Sequence, residues 1–234
     1  MTVAAALVAA DLALRQAAAA WQGRGEVPAA VVRPAWEEQQ LERRLALDPR
    51  LRRVVLPELP SPLARDVGDD VAAYADIEAI ARQVPARPLS AYRLSRARPP
   101  LELESYYREA ERRSGVPWQV LAAINFVESD FGRIDSRAGG GQGPMQFIPS
   151  TWRRYGRGDR HDPRQAILAA GRLLAAAGAS RNLRAALRHY NPYPTYGDAI
   201  VRLAGRIRRD PLVFLELYAR RLVVRTPHGY RRVD

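Results

Sequence analysis

Apolar residues in this chain recur every three or four positions between prolines, and no stretch of the second half alternates apolar and polar residues for long. That spacing predicts helices almost throughout, and the 18 Pro set where they stop. Trp36 to Leu47 and Val67 to Ala81 read as helices, the second with Val71, Tyr74, Ile77 and Ala81 on one side. Pro57, Pro60 and Pro62 between them argue against regular structure, and Pro85, Pro88, Pro99 and Pro100 punctuate a linker. Beyond residue 100, Pro117 leads into a helix over Trp118 to Glu128, with a stripe of Val116, Val120, Ile124 and Val127. The next helix is announced by Asp162 as N-cap, Pro163 in the first turn and Gln165 to complete a capping box, and it stops at Gly178. Two more cover Leu183 to Tyr190 and Tyr196 to Arg208. Leu222 to Val224 is the one β-leaning patch. Residues 1–100 therefore read as a helical, Pro-interrupted extension, 101–210 as an all-α domain, and 211–234 as a tail packing on it.

Composition removes several classes of chemistry. The absence of Cys excludes a disulfide scaffold, a thiolate metal site and a Cys nucleophile. Three isolated His (His161, His189, His228) give no metal-ligand spacing, so no metal and no cofactor is expected. No apolar run approaches the roughly 20 residues of a membrane helix, so no transmembrane segment is expected. Met1 to Ala10 is apolar but lacks a cationic start. It reads as an Ala-rich helix, with a clipped or mis-started leader as the alternative. The formal net charge is +12, carried wholly by Arg. Residues 1–100 hold 14 Arg and 12 acids, residues 101–210 hold 18 and 11. A surplus in the second half favours anionic polymers as partners. The Arg are spread rather than clustered and accompany no nucleic-acid motif, so no nucleic acid is expected.

Three features carry chemistry. Glu128 ends an apolar helix, where lost hydration is expected to raise its pKa, as a general acid for glycosidic cleavage requires; taken alone it reads equally as an exposed Glu at a helix end. The run Ala138 to Phe147 is dense in Gly and then abruptly apolar, a backbone that comes close to something, and it lacks the ending of a phosphate-binding loop. Tyr190-Asn191-Pro192 supplies a phenol, an amide and a turn at a helix end.

In this order, Glu128-Ser129-Asp130-Phe131-Gly132, Gly143-Pro144-Met145-Gln146-Phe147 with Pro149-Ser150-Thr151-Trp152, Asp162 with Ala166-Ile167, and Tyr190-Asn191 resemble the soluble lytic transglycosylase (SLT) domain of bacterial peptidoglycan enzymes. The pattern is most similar to the membrane-bound lytic transglycosylase B type seen in actinobacteria. The likeness covers about residues 101–210, and Phe214 to Tyr218 resembles the segment that follows this domain. Residues 1–100 resemble no named family. Gln142 stands where the family commonly has a small residue.

The resemblance implies a lysozyme-like helical fold, shared with goose-type lysozyme, and an enzyme acting on peptidoglycan glycan strands, with other anionic cell-wall polymers as further partners. It implies an extracytoplasmic location, secreted or wall-associated. Glu128 is then the catalytic acid and afterwards the base, cleaving the MurNAc-β-1,4-GlcNAc bond without water to leave a 1,6-anhydro end. Ser129, Met145, Gln146, Tyr190 and Asn191 are implied to bind substrate, with Tyr190 also positioning the catalytic acid and Asn191 fixing that turn. Asp135 is the candidate accessory carboxylate, expected in a loop; with it the alternative is a hydrolysing muramidase of the goose type. A low-activity wall-binding module is the remaining alternative. His161 is read as having no matching partner.

Overall fold

The computed structural model describes residues 1–137 and 140–233. It is 66% helical, so the helical spacing of the sequence does dictate the class: all-α. The elements are α1 (Val3–Trp21), α2 (Ala29–Leu47), α3 (Pro49–Val55), α4 (Ser61–Ala81), β1 (Tyr92–Leu94), α5 (Pro100–Ser114), α6 (Trp118–Ser129), β2 (Ile134–Arg137), α7 (Pro149–Tyr155), α8 (Pro163–Ala176), α9 (Leu183–Tyr190), α10 (Pro194–Arg209), α11 (Leu212–Ala219), β3 (Val223–Thr226) and β4 (Gly229–Arg232). Single 3-10 turns cover Leu56–Glu58 and Leu89–Ala91.

Helix starts follow local chemistry. Asp162 accepts the Gln165 N–H at 2.8 Å, and Asn182 accepts the Ala185 N–H at 3.0 Å. The Asp162 box is only half built: the Gln165 amide oxygen turns away and accepts the Asp159 N–H at 2.7 Å. Proline opens helices more often than it breaks them here. Pro62 lies in the first turn of α4, contrary to the expectation that the Pro57–Pro62 stretch excludes regular structure, and Pro34 sits inside α2. Asp11 does not end the first helix, which runs on to Trp21 and is long and apolar enough to cross a membrane. This differs from the sequence reading because a run interrupted by Asp11 and Arg15 still has an apolar average. One face of it, Leu7, Leu14, Ala18 and Trp21, is buried inside the protein.

The core does not respect a boundary at residue 100. Leu14, Ala18, Trp21, Val31, Ala35 and Ala73 belong to the same buried cluster as α6, α8 and α10. Nor is the segment after residue 210 peripheral. Phe214 of α11 meets Tyr107, Trp118 and Phe131 edge-on at 6.0, 5.9 and 5.5 Å. A smaller cluster (Leu7, Leu45, Val55, Val67, Val71) fills the space among α1 to α4.

Two short antiparallel pairs complete the fold. β3 and β4 extend the β-leaning Leu222 to Val224 patch into a hairpin. β1 and β2 pair across 40 residues of chain, so that Asp135 stands in a strand and not in a loop. Charge joins the halves as well. Arg202, Arg206 and Arg209 of α10 reach Asp76, Asp70 and Asp69 of α4 at 2.7, 3.0 and 2.6 Å. Part of the basic surplus of the second half is thus neutralised by acids of the first.

Candidate active site

α6 is apolar on nearly every side, and two polar residues inside it, Asn125 and Ser129, are fully buried. Their spacing of four places them one above the other on the helix. Asn125 donates from Nδ2 to the Pro144 carbonyl at 2.7 Å and to Ser129 Oγ at 3.1 Å, while its Oδ1 accepts the Tyr107 hydroxyl. Ser129 Oγ also contacts the Pro144 carbonyl and accepts the Gly132 N–H at 2.8 Å. Buried polar groups of this kind are costly unless paired, and here they pair with the loop. The network straps the Gly143–Phe147 turn to the last turn of α6, where Glu128 projects. Ser129, expected to face substrate, is instead wholly enclosed and holds backbone.

Two glycines let the strapped turn lie close to neighbouring backbone. A Cβ on Gly143, at φ +74°, would stand 2.0 Å from the Arg160 carbonyl oxygen, and one on Gly141 would stand 2.0 Å from the Gln146 oxygen. What the glycine backbone approaches is the protein itself; Ala138 and Gly139 of the same run lie outside the described residues. Gly143→Ala is therefore expected to destabilise the fold by about 1–3 kcal/mol, read as a lower midpoint of thermal unfolding, because neither backbone can yield cheaply.

Gln146, at φ +49°, turns its amide inward and donates to the Gly143 carbonyl at 2.7 Å, with longer contacts to Ile134 and Asp135. Met145 is buried. Its carbonyl accepts the Tyr190 hydroxyl at 2.7 Å. Asn191 caps α9 and accepts the Tyr193 N–H at 3.2 Å, which sets the entry into α10. The Tyr190 and Tyr196 rings lie parallel, 6.3 Å apart, and Phe147 packs on Tyr190 at 5.9 Å and on Trp152 at 5.5 Å.

Glu128 is half-buried and faces these two phenols. Burial, and then the Glu128 charge, push both Tyr190 and Tyr196 well above the usual phenol range. The Tyr196 hydroxyl is buried and has no hydrogen-bond partner among the described residues, and Glu128 is among the groups that raise its pKa. Tyr196 was legible only as a helix residue; its spacing of six from Tyr190 across the Pro192 turn is the one signal that pairs them.

Asp135 does have a partner. Its carboxylate meets His161 Nδ1 at 2.7 Å and Arg93 Nε at 3.4 Å, and its carbonyl accepts the Gly143 N–H at 2.6 Å. The expectation that His161 stands alone is corrected, since β2 brings Asp135 to it across 26 residues. A groove of about 1430 Å³ runs between α2, residues 95–99 and α11. It borders Gly132, Asp135, Pro144 and His161 but not Glu128 or Gln146, so it is a neighbour of this site and not the site itself. No group of His, Asp and Glu among the described residues has a metal-binding arrangement.

Residues 105–198 match the family described as "Transglycosylase SLT domain". The chain is 36% identical over 74 residues to membrane-bound lytic murein transglycosylase F of Thiobacillus denitrificans, covering 32% of this chain and 16% of that protein. It is 29% identical over 124 residues to the protein of the same name from Nitrosospira multiformis, covering 50% of this chain and 26% of the relative. The matches thus span about a quarter or less of these relatives' own length. Both are named as the F type, whereas the B type was the expectation from the sequence. No solved structure matches this chain.

Proposed function

We infer, from an SLT domain over residues 105–198, that the chain is a lytic transglycosylase of the bacterial cell envelope, cleaving peptidoglycan glycan strands. The observation that carries the reading is Glu128 itself. A carboxylate closes an apolar helix, flanked by the half-buried Tyr190, the buried Tyr196 and a strapped turn. In the reaction, protonated Glu128 gives its proton to the glycosidic oxygen as the bond to C1 of the muramoyl residue breaks. The carboxylate then takes the proton of the C6 hydroxyl, whose oxygen closes on C1. One bond forms for the one that breaks, and no water enters. Burial and the Glu128 charge keep both phenols un-ionised, so they meet the carboxyl as neutral groups.

Asn125, Ser129, Gln146 and Tyr190 act in this reading by fixing backbone, which leaves Glu128 and the main chain of residues 143–147 to meet the strand. Asp135, held by His161 and Arg93, is a positioning residue for the Gly143 turn. That engagement favours transglycosylation over a second-carboxylate hydrolysis. Purified murein sacculi test the function: the wild type is expected to release soluble fragments, and persistence of intact sacculi contradicts the reading. Tyr196→Phe keeps the ring stack on Tyr190 but removes the hydroxyl beside Glu128. It is expected to lower kcat about threefold with KM little changed, less than the loss of one full charge-assisted hydrogen bond.

A further inference from the structure

The groove between α2, residues 95–99 and α11 gathers arginines from five separate segments. Arg33 of α2, Arg96 and Arg98 ahead of α5, Arg133 after α6, Arg221 after α11 and Arg232 of β4 all line it. A further one, Arg220, is buried against Glu42. The carboxylates in the lining are Glu26 and Asp135, and Asp135 is already held by His161 at 2.7 Å. Little of the positive charge is firmly neutralised. Arg221 meets Gln39 through its backbone and Arg232 lies over the Trp36 ring at 5.6 Å; among the described residues neither forms a salt bridge. Arg33 and Arg96 pair with Glu37 at 3.1 Å and Glu26 at 2.7 Å, but both pairs are exposed and exchange readily for another anion. The walls are fixed, since Val31 and Ala35 of α2 belong to the same buried core as Phe131 and Tyr218.

Three features select the occupant. A volume of about 1430 Å³ exceeds the roughly 300–1,000 Å³ of small-molecule sites, so the groove takes a segment of a polymer. The arginines are spread over several walls, which matches a chain with one negative charge in every repeat. Between them the lining is apolar, with Val27, Val32 and Ala97. Such a wall suits the carbon units of a polyol phosphate better than the hydrogen-bonding backbone of an acidic peptide. Sites for single-stranded nucleic acid stack bases on aromatic rings. Here Trp36 and Tyr218 already carry the guanidinium groups of Arg232 and Arg133, at 5.6 and 4.8 Å. We propose that this groove binds a phosphodiester-linked polyol chain of the cell envelope and so holds the protein on the wall. Guanidinium forks match the paired free oxygens of a phosphodiester. Glu128 does not line the groove, so a bound polymer leaves it open to the glycan strand. The choice of an envelope polymer rests on the reading of the chain as a murein-cleaving enzyme.

Binding of poly(glycerol phosphate) at fixed ionic strength tests this, with poly(glutamate) and an oligothymidylate of equal charge as rivals. The wild type is compared with the double variant Arg96→Glu, Arg232→Glu. A second double variant, Arg50→Glu, Arg53→Glu on α3, makes the same change in net charge outside the groove. All four arginines are exposed, so folding is retained, and equal thermal midpoints check this. Poly(glycerol phosphate) is expected to bind the wild type more tightly than either rival does, and to bind the groove variant roughly tenfold more weakly. The α3 variant is expected to stay within about threefold of the wild type. All three proteins are expected to release fragments from polymer-free sacculi at the same rate. An equal loss in both variants, or none in the groove variant, overturns the proposal. So does equal or tighter binding of poly(glutamate) or of the oligothymidylate. Polymer-free sacculi left intact by the wild type overturn the functional reading instead, and the envelope polymer falls with it as the occupant.

Discussion

Glu128→Gln is expected to abolish release of soluble fragments from sacculi, with kcat falling about 10³-fold or more, while folding and strand binding persist. General acid–base catalysis by a positioned group contributes about 10²–10⁴-fold, and in the proposed reaction one residue serves both proton transfers. The amide keeps the shape of the carboxyl but cannot donate the required proton. It also removes the negative charge that acts on Tyr190 and Tyr196, so the fold has no reason to weaken. Retained turnover in the variant would assign the proton to another group, with Asp135 next in line.

The second large effect lies away from the site. Glu38, Glu42, Asp70, Arg206 and Arg220 are all buried where α2, α4, α10 and the end of α11 meet. Arg220 reaches Glu42 at 2.5 Å, Asp70 at 3.7 Å and Glu38 at 3.9 Å. Burial opposes the Arg220 charge, but Glu42, Asp70 and Glu38 outweigh it. Arg220→Ala strips the counter-charge from these carboxylates, and breaking a buried ion pair from one side typically costs about 3–5 kcal/mol. For a chain of this size the thermal midpoint is expected to fall by on the order of 10 °C. Glu42 Oε1 and Asp70 Oδ1 already lack hydrogen-bond partners among the described residues. The double change Arg220→Met with Glu42→Leu is therefore expected to recover much of the loss.

The same cluster sets a pH dependence. Burial pushes Glu38 up to about 7 and Glu216, beside it, to about 8. Between the ordinary Glu value and those values, the folded protein holds protons that the unfolded chain has released. Stability present at low pH is therefore lost as pH rises through about 7 to 8. Thermal midpoints at pH 5 and pH 8 check the sign, with the higher midpoint expected at pH 5.

Some helix starts were legible because their signals are local. Asp162 before Pro163 and Pro117 ahead of Trp118 each act within one turn, and the helices begin there, whereas α2 and α4 begin earlier than their apolar spacing announced. The role of residues 1–100 was not legible, since burying Trp21 or Ala73 against later helices is decided by tertiary packing. The pairing of β1 with β2 was hidden by its brevity and its long separation. Within the site, Glu128 and the Gly143–Phe147 turn stood out by composition and order. Asn125 could have been noticed as the lone amide in an apolar helix. The pairing of His161 with Asp135, and of Tyr196 with Glu128, depends on contacts between distant segments that no spacing announces.

The most direct test of the account is the mass of the products. Purified peptidoglycan is incubated with the wild-type protein and the released muropeptides are analysed by mass spectrometry. The account predicts fragments ending in 1,6-anhydromuramic acid, formed without added water and missing when Glu128→Gln replaces the wild type. Fragments heavier by one water, with reducing ends, would contradict it and establish hydrolysis.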